Sequence, residues 1–119
     1  MQALPLILSS VLLSAAAQVM LKLGVRGAAA GADGAPAVFL LSASLNPYVI
    51  AGVSMHVGAL VIWLLALRHA DVSFAYPFTA FGFVLVLIIS ALWLNEPVNG
   101  WRIMGILLIG AGIVTVSRS

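Results

Sequence analysis

Cysteine is absent from the 119 residues, which excludes disulfides, thiolate nucleophiles and cysteine metal sites. Charge is almost as scarce: five Lys and Arg and three Asp and Glu make up 7% of the chain, against about a quarter in soluble domains. With a net charge of +2, the chain has too few cations for the clustered basic face that binds nucleic acid. The central parts of the apolar stretches hold no Asp or Glu. They therefore lack the membrane-embedded acid on which proton-coupled exporters of cations exchange proton for cargo. No nucleophile–base pair, metal-ligand cluster or phosphate-cradling glycine loop occurs, so no enzyme activity, metal or cofactor is expected.

What is plentiful is apolar surface. Hydrophobic residues make up 64% of the chain and the mean hydropathy is +1.24. A small soluble domain buries only about 60 to 70% of the surface its unfolded chain exposes, so the remainder here needs lipid as its solvent. A spanning helix takes roughly 20 apolar residues, and such windows lie at about 4–23, 47–67, 72–94 and 101–116. The expected fold is all-α: one membrane domain over 1–119, a four-transmembrane-helix bundle, too small to form a passage alone and expected to work as a dimer. The first window resembles a secretory signal at Ser14-Ala15-Ala16-Ala17. No cation precedes its apolar core, however, and apolar residues continue to Leu23, so a full span is expected.

Polar and helix-breaking residues limit the spans: Lys22, Gly24 and Arg26 after the first, Asn46-Pro47 before the second, Asn95-Glu96-Pro97 after the third. Within the connection 25–46, residues 36–44 are too few to cross. They read either as a short interfacial helix or as an extension of the second span broken at Pro47. Four spans place both termini on one side. Arg68 and Arg118 then share that side and Lys22, Arg26 and Arg102 the other, a difference of one charge that leaves the orientation open and permits insertion in both senses.

Ser10, Ser14, Gln18 and Lys22 recur every four residues, which stacks them on one face of the first helix. Polar groups at membrane depth normally face a bundle interior or a wet cavity, so this stripe reads as the lining of a groove that ends on a cation able to hold phosphate or carboxylate. The alternative is that the serines bond to their own helix, Gln18 joins two helices and Lys22 snorkels. His56 is the one ionisable group deep in the second span, either a proton relay or a neutral ring bonded to a neighbouring helix. Pro77, with Gly82 beyond it, marks a bending point or a helix start. Glu96 is placed to pair with Lys22 or Arg102 or to cap the fourth helix. Tyr48, Trp63, Trp93 and Trp101 read as interfacial anchors. Gly105 and Gly112, two turns apart, offer a dimer seam or a close contact within the subunit.

Four spans, the Gln-containing first helix ending in Lys22, Ile62-Trp63-Leu64-Leu65, Ala75-Tyr76-Pro77, Leu94-Asn95-Glu96-Pro97 and the Gly105–Gly112 pair together resemble the small members of the drug/metabolite transporter superfamily. Small multidrug resistance exporters have a Glu on the first helix and an aromatic on the third, where this chain has Ser14 and Thr79; their glycine hinge reads Phe81-Gly82-Phe83 here. Ser14-Ala15-Ala16-Ala17-Gln18, Ala75-Tyr76-Pro77 and Glu96-Pro97 are more similar to subunits of the aminoarabinose-phosphoundecaprenol flippase. That resemblance implies movement of a polyprenyl-phosphate-linked sugar across a bacterial inner membrane. Lys22, with Arg26, Arg68 or Arg102, would meet the phosphate. Ser10, Ser14, Gln18 and Tyr76 would line the site, and Pro77, Gly82, Glu96 and Pro97 would shape or gate it. The partner is expected to be an identical chain or a second small four-helix subunit. The alternative is a proton-coupled exporter of cationic amphiphiles or polyamines, with His56 as proton carrier, and a third reading is a non-transporting subunit that stabilises a partner membrane protein.

Overall fold

The computed structural model describes residues 3–31 and 33–119, and every regular element among them is helical. The helices are α1 (Ala3–Ala30), α2 (Pro36–Leu45), α3 (Pro47–Leu67), α4 (Val72–Ala75), α5 (Thr79–Leu92) and α6 (Gly100–Ser117), with a 3₁₀ turn at Tyr76–Phe78. Four segments are long and apolar enough to span a membrane: α1, α3, the continuous run Val72–Leu92, and α6. The molecule measures 49 × 35 × 21 Å. Its length exceeds the hydrocarbon core of a bilayer, and its depth is about two helix diameters.

The α1–α3 pair is the backbone of the bundle, and small residues are the reason. Ala3, Ser10, Ala17 and Gly24 recur every seven residues on α1, and Gly52, Ala59 and Ala66 do so on α3; all seven are buried. Run antiparallel, they meet in register: Gly52 lies against Ala17 and Leu21, Ser10 bonds to Ala59, and Ala3 and Ala66 share the core at one end. A Cβ on Gly52 would stand 2.8 Å from Leu21 Cγ, and one on Gly24 would stand 2.8 Å from the Val49 backbone nitrogen. Side chains any larger would hold the helices apart. Without a hydrophobic drive between helices in lipid, such close backbone approach supplies the attraction.

The α1 helix runs seven residues past the expected span end at 23. Gly24 does not stop it, because its missing side chain is what lets α3 approach. The α2 helix is separate from α3: Asn46 lies between them in extended conformation and caps α3 by accepting from the Tyr48 N–H, with Pro47 at the first helical position. Residues 36–45 thus form a helix of their own, set off from the second span by a one-residue break at Asn46. The α2 helix buries none of its residues and exposes Leu40, Leu41 and Leu45.

Pro77 does not start the third span, and the helix is not regular through it. The span starts at Val72, and because Pro77 has no N–H to give, the backbone tightens into 3₁₀ geometry over Tyr76–Phe78 before α5 resumes. Gly82 lies inside the regular part of α5, where a Cβ would come to 3.3 Å of Val11. Its role is contact with α1, and the irregularity belongs to Pro77. The α6 helix packs against α5 and the 3₁₀ turn and buries no residue. Gly105, Gly110 and Gly112 have no other group within 4 Å of a built Cβ, so close packing inside the subunit is not what these glycines serve.

Candidate functional site

Along the four-residue stripe on α1, Ser10 is buried, Ser14 half-buried, and Gln18 and Lys22 exposed. Ser10, Ser14 and Gln18 line a crevice of about 270 Å³ between α1, α3 and α5, with His56, Ala59, Leu60 and Trp63 on the α3 side and Thr79, Gly82, Phe83 and Val86 on the other. Gln18 and Val86 also border two further crevices. One, of about 180 Å³, holds Lys22, Ser90, Leu94 and Glu96; the other, of about 450 Å³, adds Phe83, Arg102, Gly105 and Ile109. The three share Gln18 and Val86 and succeed one another toward the charged end of the bundle. The first is lined mostly by apolar residues, with a few hydrogen-bonding groups on one side.

The stripe residues differ in what they are free to do. Ser10 is buried and donates to Ala59 O at 2.8 Å, so its hydroxyl proton belongs to the α1–α3 seam. Ser14 and Gln18 both reach the His56 ring, at 3.5 Å to Nδ1 and 3.4 Å to Nε2. Those are long, weak contacts. Neither Ser10 nor Ser14 bonds back to its own helix; Ser9, outside the stripe, does so to Pro5 O. His56 therefore joins α3 to α1 inside the crevice. Trp63, expected as an interfacial anchor, is half-buried and lines the crevice, its ring edge-on to Tyr76 at 6.2 Å between centroids. The signal for it was available: positions 56, 59, 60 and 63 share one face of a helix.

At the charged end Lys22 Nζ lies 3.5 Å and Arg26 Nη2 3.9 Å from Glu96 Oε1. Glu96 was expected to pair with Lys22 or Arg102; its second partner is Arg26. Both cations stand on α1 because the helix continues past residue 23, which puts positions 22 and 26 one turn apart on one face. Arg26 also donates to Leu94 O at 2.6 Å, satisfying a carbonyl left over where α5 ends. Arg102 donates to Pro97 O at 3.0 Å and faces the 450 Å³ crevice without touching Glu96. The N-terminal cap of α6 is Asn99, accepting from the Arg102 N–H, and not Glu96. Glu96 is aimed at α1 by the turn before it, where Asn95 takes a left-handed φ of 53°, a conformation Asn tolerates better than most residues.

Arg68 is far from this group. It lines a separate open cavity with Ala3, His69, Asp71 and Ser119, at the end of the bundle where both described chain ends lie. Tyr76 is exposed, and it does not line the mid-membrane crevice. Of the proposed phosphate contacts, Lys22 and Arg26 are brought together, Arg102 stands nearby, and Arg68 sits at the opposite end of the bundle.

A model of the EamA-like transporter family matches residues 37–118. A Pseudomonas aeruginosa protein named "Probable 4-amino-4-deoxy-L-arabinose-phosphoundecaprenol flippase subunit ArnE" is 43% identical over 60 residues, 50% of this chain and 52% of its own length. A Pseudomonas syringae protein of the same name is 41% identical over 59 residues, 50% of this chain and 55% of its own. A Shewanella sediminis protein with the corresponding ArnF name is 35% identical over 81 residues, 65% of this chain and 56% of its own. The chain thus spans about half the length of the curated relatives it matches. No solved structure matches. The resemblance carried by the sequence motifs is borne out: with four apolar spans and a family match over more than half its residues, the chain is a multi-pass membrane protein of the EamA-like transporter family.

Proposed function

We propose that the chain is a subunit of a bacterial inner-membrane flippase for a polyprenyl-phosphate-linked sugar, the undecaprenyl-phosphate class named for its relatives. One observation carries this reading: a polar stripe borders crevices along the apolar bundle and ends on two cations, Lys22 and Arg26. A lipid-linked phosphate needs a cation, hydrogen-bonding groups for its sugar and an opening to lipid for its tail. It does not need a buried acid. Lys22 and Arg26 take the phosphate, with Arg102 at the flank, while Ser14, Gln18 and His56 offer bonds to sugar hydroxyls. Arg68 and exposed Tyr76 belong to the opposite face of the membrane and to the second leaflet. The unburied α6, with Gly105 and Gly112 open along it, is the face on which a second copy or a second small subunit docks.

The position of His56 in the crevice also supports a second reading, proton-coupled export of cationic amphiphiles or polyamines. The cations at the crevice end weigh against it. The test is binding of undecaprenyl-phosphate-linked sugar by the full chain in lipid nanodiscs, followed by flipping in liposomes. Lys22→Ala is expected to weaken binding by about tenfold or more, the worth of a charge-assisted bond. Equal binding by parent and variant removes Lys22 as the phosphate contact.

A further inference from the structure

We infer that Glu96 is the resident anion of the Lys22–Arg26 site, a carboxylate that occupies both cations while the crevice is empty and gives way when a phosphate headgroup enters. This rests on the reading of Lys22 and Arg26 as phosphate contacts.

The geometry supplies the arrangement that exchange requires. Among the described residues Lys22 has no partner besides Glu96, whereas Arg26 keeps a second bond, to Leu94 O at 2.6 Å. When Glu96 leaves, Arg26 stays in position and Lys22 is released toward the incoming group. The site also lies beside open space, since Lys22 and Glu96 line the same 180 Å³ crevice as Gln18. A pair serving only to fasten two elements would not need that space.

The strength of the contact fits as well. Both cationic side chains are 45% exposed and the Glu96 side chain 29%. Ion pairs so well hydrated are worth little, and water compensates their loss. A fully buried pair would resist exchange, because losing one partner strands a charge in low dielectric. A carboxylate and the phosphodiester of a lipid-linked sugar each carry one negative charge, so the headgroup can take over the contacts to Lys22 and Arg26 that Glu96 gives up. Glu96 moves by its own side-chain rotations, since buried Leu94 and the left-handed Asn95 hold the turn that carries it. Its contacts fasten α1 to the turn after α5, so displacing the carboxylate removes one of the ties that draw this end of the crevice together.

Affinity for undecaprenyl phosphate, measured on the full chain in nanodiscs of zwitterionic lipid, tests the exchange. Glu96→Gln keeps the shape and removes the competing charge, and it is expected to bind about three- to tenfold tighter than the parent. Glu96→Asp, which withdraws the carboxylate by one bond, is expected to fall between the two. Adding Lys22→Ala to Glu96→Gln is expected to abolish the gain. If the parent binds in a Lys22-dependent manner but Glu96→Gln binds equally or more weakly, the exchange is wrong and the phosphate reading stands. If parent and Lys22→Ala bind alike, the phosphate reading falls and the exchange with it. Should Glu96→Gln fail to fold, as judged by its melting curve, Glu96→Asp decides: tighter binding supports exchange, and equal or weaker binding overturns it.

Discussion

Ser10 donates its hydroxyl proton to Ala59 O at 2.8 Å across a seam where both residues are buried, so the α1–α3 contact is at once a polar bond and a close approach of two backbones. Ala59 O belongs to a regular helix and already accepts its intrahelical bond. The serine therefore adds a tie without leaving an orphan. Interhelical bonds of this kind contribute about 0.6 to 2 kcal/mol in membranes, and here the small neighbours on either side let the helices come near enough to make one.

Gly52→Leu is expected to destabilise the subunit by about 1 to 3 kcal/mol, because its side chain must occupy the space of Leu21 and the Ala17 carbonyl. A melting or SDS-unfolding series in detergent measures this. Unchanged stability would mean that the α1–α3 pair can separate without cost and is not the backbone of the fold.

The glycines of α6 give the opposite expectation. A Cβ on Gly105 or Gly112 meets nothing within 4 Å inside the subunit, so Gly105→Ala and Gly112→Ala are each expected to leave the melting temperature of the isolated subunit within about 2 °C. Cross-linking yield or native mass spectrometry, by contrast, should show self-association or partner association falling severalfold. Loss of folding without loss of association would assign these positions to the subunit interior and remove them from the docking face.

His56→Ala removes two long contacts and is expected to cost at most about 1 kcal/mol of stability. On the flippase reading it weakens sugar recognition modestly and leaves the Lys22-dependent binding of undecaprenyl phosphate in place. Uptake of a cationic amphiphile into vesicles, driven by a proton gradient and abolished by His56→Ala, would put the exporter reading in first position.

The four spans were legible because each needs only a run of apolar residues bounded by breakers. The stripe was legible because Ser10, Ser14, Gln18 and Lys22 share a four-residue spacing; among them Ser10 is buried and Gln18 and Lys22 are exposed. The seam escaped notice because it follows a different spacing, seven, through Ala3, Ser10, Ala17 and Gly24, and the two series cross at Ser10. Reading that serine as part of the stripe hid its membership of the seam. Arg26 was placed in a connection because Gly24 looked like a helix end. Only the partner helix reveals that the glycine is a contact point, and with it that positions 22 and 26 share a face. Residue type marks Trp63 as an anchor, and its place about two turns beyond His56 on the same face of α3 is what brings the ring to the crevice.

The 21 Å depth of the molecule has a mechanical consequence. A sheet of protein two helices deep has room for a trough along its surface and none for a bored tunnel through it. On the flippase reading, cargo lying in such a trough keeps one flank uncovered by this chain, and whatever closes that flank, acyl chains or a neighbouring subunit, shares in setting the barrier to crossing.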